Sequence, residues 1–182
     1  MKSNEKNIGK IIFITGGTKS GKSEFAEHLG KKLKKITYIA LSESRPEDIS
    51  WQKKILQHRK RRPKDWILVE SNNLISVLKM REGPILIDSI GGFIMESINK
   101  DDDKWDIKIN LLLDLLQGRE AETLIVGEQV GWSLVSEYEI GNKYIERLGN
   151  LQKKITKIAN ENWLTINGRA IKLDNISFEI PT

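Results

Sequence analysis

A short stretch near the start of the chain has the spacing of a phosphate-binding loop. Residues 16–23 read GGTKSGKS, which fits the pattern G-x-x-x-x-G-K-S. In such a loop the backbone N–H groups point at a polyphosphate, and the helix that follows adds the positive end of its dipole. Lys22 is expected to contact the β- and γ-phosphates, and the Ser23 hydroxyl is expected to bind Mg²⁺. The whole loop is therefore predicted to bind nucleotide: Gly16, Gly17, Thr18, Lys19, Ser20, Gly21, Lys22 and Ser23.

Asp88 is the second candidate ligand for a metal ion. It ends the apolar run PILID over residues 84–88. A carboxylate at the end of a buried strand holds Mg²⁺, directly or through water, in enzymes with this kind of phosphate loop. An aspartate after a strand can also be a helix cap or a turn residue. The loop upstream favours the metal role, so we predict a magnesium site that contains Ser23 and Asp88.

The chain has two histidines, and their surroundings differ. His28 falls in the helix predicted after the phosphate loop, where a solvated or partly packed side chain is the simple interpretation. His58 lies in the basic segment QHRKRRP over residues 57–63, whose cations disfavour imidazolium and favour a neutral ring. A neutral ring nitrogen can attack phosphorus while nearby arginines hold the displaced phosphates. The alternative is a solvated histidine at a helix end, and spacing by itself favours that alternative.

The same basic segment dominates the charge of the protein. The net charge is +5, from 30 basic and 25 acidic residues. Residues 51–64 contribute seven basic side chains and no acidic one, so the rest of the chain carries −2. A concentrated positive segment attracts phosphate, either of a nucleotide or of a nucleic acid. The cations are not interleaved with aromatic residues and no nucleic-acid-binding motif is present, so contact with nucleic acid ranks lower.

Length and composition exclude several classes of protein. At 182 residues, 38% hydrophobic and 30% charged, the chain is near the size of one globular domain. It has no cysteine, which excludes disulfide scaffolds and thiolate sites and fits a cytoplasmic location. No apolar run approaches the ~20 residues that span a bilayer, and residues 1–10 lack the apolar core of a signal peptide. We expect a flexible polar tail over residues 1–9 and a single nucleotide-binding domain over residues 10–182.

Short apolar strands alternate with helical patterns along the chain. Strands are predicted over residues 10–15, 36–40, 66–69, 84–87 and 123–126. Helices are predicted over residues 24–35, 46–60, 71–80, 104–117 and 137–160, with Ser71 or Asn72 capping the third and a further short helix after Gly92. Residues 163–166 and 170–173 flank an Asn167-Gly168 turn, which indicates a β-hairpin. The pattern predicts a P-loop NTPase-like α/β fold, a mainly parallel sheet flanked by helices with a C-terminal hairpin.

Several segments together resemble the bifunctional adenosylcobinamide kinase / adenosylcobinamide-phosphate guanylyltransferase family of cobalamin biosynthesis. The resemblance covers residues 10–173 and begins with the phosphate loop TGG-x-x-SGKS. Its most specific part is the run H-x-x-x-R-P-x-x-W from His58 to Trp66, preceded by Glu47-Asp48 and followed by Glu70. Four further segments match the family pattern: Tyr38-Ile39-Ala40, Asp88-Ser89-Ile90-Gly91, Val130-Gly131 with Val135 and Glu137, and the hairpin with Gly168 and Lys172.

The resemblance implies two reactions. Family members transfer the γ-phosphate of ATP or GTP to the hydroxyl of adenosylcobinamide. They also transfer GMP from GTP to adenosylcobinamide phosphate, through a covalent GMP adduct on a histidine that matches His58. This match reverses the interpretation of His58 that spacing favours. By matching position, the guanine nucleotide or its metal would also contact Ser42, Glu43, Ser44, Arg62, Glu70 and Asp88. A homo-oligomer, in the family a trimer, is implied as well.

The chain departs from the family pattern at four positions. An amide at Gln129 stands where a carboxylate is usual, with Glu128 one place earlier. Glu96 and Gln152 replace asparagines, and Gly92 replaces a threonine. Two alternatives therefore stay open. One is another small-molecule P-loop kinase in which His58 is structural, and the other is a GTP-binding protein that has lost one or both activities.

Overall fold

A computed structural model describes residues 8–41, 47, 49, 61–132 and 136–181 of the protein. Seven strands form one sheet: β1 (Ile11–Gly16), β2 (Thr37–Ala40), β3 (Ile67–Glu70), β4 (Ile85–Asp88), β5 (Thr123–Glu128), β6 (Glu161–Ile166) and β7 (Arg169–Lys172). The described residues also form five α-helices: α1 (Lys22–Gly30), α2 (Leu74–Met80), α3 (Gly91–Met95), α4 (Asp102–Gln117) and α5 (Glu139–Ile158). The helix predicted over residues 46–60 lies outside the described residues, apart from residues 47 and 49.

The strand order is β3-β2-β4-β5-β1-β6-β7. Every pair is parallel except β6 and β7, which are antiparallel. All six residues of β1 are buried, because the strand lies in the middle of the sheet and helices cover both of its faces. The predicted α/β fold with a mainly parallel sheet and an antiparallel hairpin is confirmed.

The sheet separates two apolar clusters. The larger one contains Phe93, Trp105, Leu112 and Leu151, and it packs helices α2 to α5 against one face. The smaller cluster lies on the other face, where α1 and Trp66 cover the side chains of β1, β2 and β4. Among the described residues, no helix combines the length and the apolar character needed to cross a membrane. The two-sided burial explains why the central strands are continuous apolar runs without alternation.

The boundaries predicted for the first helix, 24–35, are wrong at both ends. Helix α1 begins at Lys22, inside the predicted loop, and ends at Gly30. Beyond it the backbone tightens, since the N–H groups of Lys32 and Leu33 donate to carbonyls only three residues earlier. Lys35 then takes a φ of 53°, which turns the chain into β2. The apolar spacing continued past the helix because Leu33 still packs against the smaller cluster.

The predicted cap of the next helix is also wrong by one or two positions. Asn73 is the cap of α2, where its side-chain oxygen accepts a hydrogen bond from Ser76 N at 3.0 Å. The Ser71 hydroxyl instead accepts from Asn73 N at 3.0 Å and orients the capping residue. Three consecutive residues able to cap a helix made this assignment ambiguous, and the side chain that reaches the third amide beyond it is the one that caps.

The hairpin turn has the backbone that its sequence predicts. Asn167 and Gly168 have φ angles of 49° and 76°, both in the left-handed region that a type I′ turn requires. The turn joins β6 to β7 with Ile166 directly opposite Arg169. The tightness of this turn brings Gly168 against the phosphate loop, as described below.

Glu161 at the start of β6 forms ion pairs with Lys10, just before β1, and with Lys172 on β7. We predict that these pairs make a pH-dependent contribution to stability. Burial raises the pKa of Glu161, but hydrogen bonds from Lys10, Trp163 and Lys172 outweigh it and lower the pKa to about 2. A depressed carboxyl pKa stabilises the fold above the ordinary value near 4.5, and this contribution disappears as the pH falls towards 2. Glu161→Gln should cost about 1 kcal/mol of unfolding free energy at pH 7, since Lys10 is solvent-exposed. Denaturant unfolding at pH 7 and near pH 2 measures the difference, and an equal cost at both pH values would contradict the prediction.

Candidate functional site

The phosphate loop closes over its own lysine. The loop leaves β1 at Gly16 and enters α1 at Lys22, and Gly21 has a φ of 95° that a side chain would disfavour. Lys22 Nζ donates to Gly17 O at 3.0 Å, so the ammonium group lies across the concave side of the loop. A triphosphate in this loop would replace that carbonyl as the partner of Lys22. The predicted loop residues are thus brought together in the strand–loop–helix context that the motif requires.

Ser23 and Asp88 meet beside the loop. The Ser23 hydroxyl donates to one carboxylate oxygen of Asp88 at 3.2 Å. Ser23 lies in the helix that follows β1 and Asp88 ends β4, and β5 lies between these two strands. A hydroxyl and a carboxylate are the hard oxygen donors that Mg²⁺ prefers, and Mg²⁺ commonly takes few protein ligands alongside substrate phosphates. The described residues contain no cluster of three or more His, Cys, Asp or Glu side chains able to hold a metal. The donor set therefore fits a nucleotide-bound Mg²⁺ rather than an all-protein metal centre.

Tyr38 orients the Asp88 carboxylate, a role that the sequence did not reveal. The ring is buried at 2% exposure, and its hydroxyl donates to the second carboxylate oxygen of Asp88. Burial and the neighbouring Asp88 charge raise the pKa of Tyr38, which keeps the phenol protonated as a donor. The only signal in the sequence was the Tyr38-Ile39-Ala40 match, which carried no assigned role.

The Arg62 side chain packs against the ring of Tyr38, beside Asp88. Its guanidinium carbon lies 3.4 Å from the ring centroid, in a cation–π contact. Its Nε atom is buried without a hydrogen-bond partner among the described residues. Tyr38 therefore contacts Arg62 with the face of its ring and Asp88 with its hydroxyl.

Arg61 fastens the end of the basic segment to helix α1. Its guanidinium pairs with Glu27 at 3.0 Å and with Glu24 at 2.5 Å. Glu27 is only 3% exposed, so this pair is anchored in the packed part of the helix. No sequence pattern predicts this contact, because 34 residues separate Arg61 from Glu27. His28, the next residue of α1, is exposed as expected.

Glu70 lies at the same edge of the sheet, two strands from Asp88. Ala40 at the end of β2 pairs with Glu70 on one side and with Asp88 on the other. Adjacent strands are about 4.8 Å apart, which separates the two backbones by roughly 10 Å. The structure thus brings together the loop, Arg62, Glu70 and Asp88. The remaining predicted contacts, His58, Ser42, Glu43 and Ser44, lie outside the described residues.

A second carboxylate, Glu128, ends β5 between the loop strand and the Asp88 strand. It accepts hydrogen bonds from the Ser89 hydroxyl and from Gly91 N, the latter at 3.3 Å. Burial raises the pKa of Glu128 despite these bonds. Through these two hydrogen bonds Glu128 stabilises the turn that follows Asp88.

The four departures from the family pattern each have a local structural partner. A Cβ atom on Gly92 would lie 1.8 Å from the Leu41 carbonyl oxygen, which excludes any side chain there. Glu96 forms an ion pair with Lys108. Gln129 and Gln152 bind each other, with Gln129 Nε2 donating to Gln152 Oε1 at 3.1 Å. These contacts show how packing and hydrogen bonds accommodate each of the four residues.

We predict that Asp88→Asn weakens the response to Mg²⁺ more than it weakens the fold. Asparagine keeps the shape and the contact with Ser23 but removes the charge that attracts a cation. The Mg²⁺ concentration for half-maximal activity should rise at least about tenfold. A titration of activity against Mg²⁺ measures this, with Asp103→Asn on the exposed surface of α4 as the matched control. An unchanged Mg²⁺ requirement would shift the assignment to Glu70.

The chain is similar in sequence to a known protein family and to characterised members of it. The family model for cobinamide kinase / cobinamide phosphate guanyltransferase matches residues 12–173. The bifunctional adenosylcobalamin biosynthesis protein CobU of Escherichia coli K12 is 26% identical, over 90% of this chain and 99% of its own length. CobP of Pseudomonas aeruginosa, also a bifunctional adenosylcobalamin biosynthesis protein, is 25% identical over 88% of this chain and 95% of its own length.

Solved structures show the same fold at low sequence identity. A protein from Pyrococcus horikoshii OT3 has a TM-score of 0.55 and 7% identity, and the match covers 97% of this chain and 93% of that one. The type III secretion ATPase EscN of enteropathogenic Escherichia coli has a TM-score of 0.53 and 11% identity, over 87% of this chain and 43% of that one. The fold alone is common to these proteins, whereas the family model spans the loop, the His58 segment and the hairpin. The chain belongs to the cobinamide kinase / cobinamide phosphate guanyltransferase family.

Proposed function

We propose that this protein is a transferase of cobalamin biosynthesis with two activities. It phosphorylates the hydroxyl of adenosylcobinamide with ATP or GTP, and it transfers GMP from GTP to adenosylcobinamide phosphate. The observation that carries the proposal is the meeting of the phosphate loop with Asp88 and Arg62 at one edge of the sheet. Family membership supplies the two reactions and the corrinoid substrate.

In phosphoryl transfer, the protein contributes mainly position and charge. The amides of residues 17–23 hold the phosphates, and Lys22 turns from Gly17 O to the β- and γ-phosphate oxygens. Ser23 and Asp88 would hold Mg²⁺, with Tyr38 keeping the Asp88 carboxylate turned towards Ser23. Bound Mg²⁺ would offset negative charge that grows on the phosphates. The nucleophile of this step is the hydroxyl of adenosylcobinamide, so no side chain of the protein has to act as one.

In guanylyl transfer, His58 would be the nucleophile. A neutral ring nitrogen attacks the α-phosphorus of GTP, so that a P–N bond forms while the α–β phosphoanhydride bond breaks and pyrophosphate leaves. The phosphate of adenosylcobinamide phosphate then attacks the same phosphorus, and the P–N bond breaks. Arg62, held over Tyr38 with a buried and unpartnered Nε among the described residues, is suited to bind phosphate oxygens. Ser42, Glu43, Ser44 and Glu70 are proposed to contact the guanine nucleotide.

Three further expectations accompany the proposal. We propose one nucleotide-binding domain over residues 10–182, a homo-oligomer, in the family a trimer, and a cytoplasmic location. Light scattering of the purified protein measures the oligomer size.

The direct test of the function is product analysis. The protein is incubated with adenosylcobinamide, GTP and Mg²⁺, and the corrinoid products are identified by mass spectrometry. We expect the mass of one phosphate to be added first, followed by the mass of GMP. Phosphate addition without GMP addition would reduce the protein to a kinase. Neither product, with tight GTP binding, would identify a nucleotide-binding protein without this activity.

A further inference from the structure

A buried hydrogen-bond network lies directly beneath the phosphate loop. Its centre is Gln152 of helix α5, which is only 6% exposed. Gln152 Nε2 donates to Glu128 O at 2.7 Å, while Gln152 Oε1 accepts from Thr15 Oγ1 and from Gln129 Nε2, both at 3.1 Å. The Gln152 side chain thereby links α5 to the last residues of β1 and to the end of β5.

The amide of Gln152 has one permitted orientation. In the opposite orientation its oxygen would face Glu128 O, and its nitrogen would face the donating nitrogen of Gln129. Gln129 Nε2 also donates to Thr15 Oγ1 at 2.8 Å, so that Thr15, Gln129 and Gln152 are hydrogen-bonded to one another. All the polar atoms of the Gln152 amide are paired, which makes this a rigid support.

The network continues from Thr15 into the loop itself. Thr165 on β6 is 1% exposed, and its hydroxyl donates to Thr15 O at 3.2 Å. The Thr165 hydroxyl therefore has no proton left for Ser20, so the Ser20 hydroxyl donates to it across 2.8 Å. On the hairpin turn, Gly168 N donates to Ser20 O at 3.0 Å. The loop is thus supported from below by Thr15 and from one side by the hairpin.

We propose that Gln152, together with Gln129, is a positioning unit for the phosphate loop. The pair holds Thr15 and Gly16 where the loop leaves β1, and so sets the direction in which the loop amides face the nucleotide. Gln129 N also donates to Gly16 O at 3.0 Å, which fastens the first residue of the loop to the same unit. In this proposal the effect of each glutamine on the nucleotide passes through its hydrogen bonds to Thr15 or Gly16. The inference rests on the proposed function, since it requires that residues 16–23 bind a nucleoside triphosphate.

The test separates nucleotide affinity from stability. Gln152→Leu keeps a buried side chain of similar size and removes all of the amide hydrogen bonds. Leu151→Val is the matched control, because Leu151 is the preceding residue of α5, fully buried in the larger cluster and outside the network. Dissociation constants are measured by fluorescence titration with N-methylanthraniloyl-labelled GTP and ATP, and Tm is measured by calorimetry. Hydrogen exchange of residues 16–23 supplies a readout without nucleotide.

We expect both variants to lower Tm, but only Gln152→Leu to weaken nucleotide binding, by about tenfold, the effect of losing one or two buried hydrogen bonds. Its loop amides should also exchange faster than in the wild type. Equal dissociation constants for Gln152→Leu and wild type would overturn the inference and leave the proposed function standing. If Gln152→Leu does not fold, Gln129→Met at the half-buried end of the pair must show the same loss of affinity. A wild-type protein that binds neither nucleotide would overturn the proposed function and the inference with it.

Discussion

His58→Ala is expected to abolish the covalent GMP adduct and all transfer of GMP to the corrinoid. Wild type incubated with GTP and Mg²⁺ should gain the mass of one GMP, because a P–N bond forms at His58 while pyrophosphate leaves. The adduct should be labile in acid and stable in base, as expected for a phosphoramidate and not for a serine phosphate ester. Intact-protein mass spectrometry before and after acid treatment measures both properties.

Two comparisons make the His58 experiment decisive. His28→Ala should keep the adduct, since His28 is exposed on α1 and is the other histidine of the chain. Phosphorylation of adenosylcobinamide should survive His58→Ala, because that step uses the phosphate loop and needs no protein nucleophile. A wild-type protein that never forms the adduct, even with the corrinoid present, would leave His58 structural and the kinase activity alone.

The second large effect is expected for Lys22→Ala, which should reduce phosphoryl transfer by about 10²–10³-fold. Lys22 places its ammonium group across the loop, 3.0 Å from Gly17 O, where the phosphates of a bound nucleotide would lie. Alanine removes this charge from the loop without opening a core cavity, because the side chain is half-buried and outside both apolar clusters. Tm should therefore change little.

The Lys22 experiment needs a control for loss of positive charge. Lys31→Ala serves this purpose, because Lys31 is exposed just beyond the end of α1. Initial rates of corrinoid phosphorylation are compared at saturating ATP or GTP, with circular dichroism to confirm folding. Wild-type turnover by a folded Lys22→Ala protein would remove the phosphate loop from the mechanism.

The local parts of the site were predictable from sequence, and the long-range parts were not. Glycine spacing over residues 16–23 and the apolar strand before Asp88 specify their own backbone, so the strand–loop–helix unit and the strand that ends at Asp88 could be predicted. Tyr38 and Asp88, or Arg61 and Glu27, lie 50 and 34 residues apart, and no spacing rule joins them. The contact between Tyr38 and Asp88 depends on the strand order, which places β2 beside β4.

The helix ends show the same division. Apolar spacing identified α1 but extended it to residue 35, because Leu33 keeps packing after the helix has ended. The departures at Gly92, Gln129 and Gln152 illustrate the reverse difficulty. From sequence they counted against catalysis, yet each meets a specific neighbour in the fold, Leu41 for Gly92 and the two glutamines for each other. Sequence alone showed that residues had changed but not what they touch.

The central position of β1 has a consequence for the order of events during synthesis. Both strands that flank it, β5 and β6, are made more than 100 residues later. At 5–20 residues per second, the ribosome reaches Gly168, which contacts Ser20, roughly 7–30 s after it has made the phosphate loop. For most of that interval the loop lacks β5, and until its end it lacks the support of the hairpin. A nascent chain is thus expected to gain nucleotide affinity only after the hairpin has been made, so ATP and GTP in the cell would bind the folded domain and not its precursors.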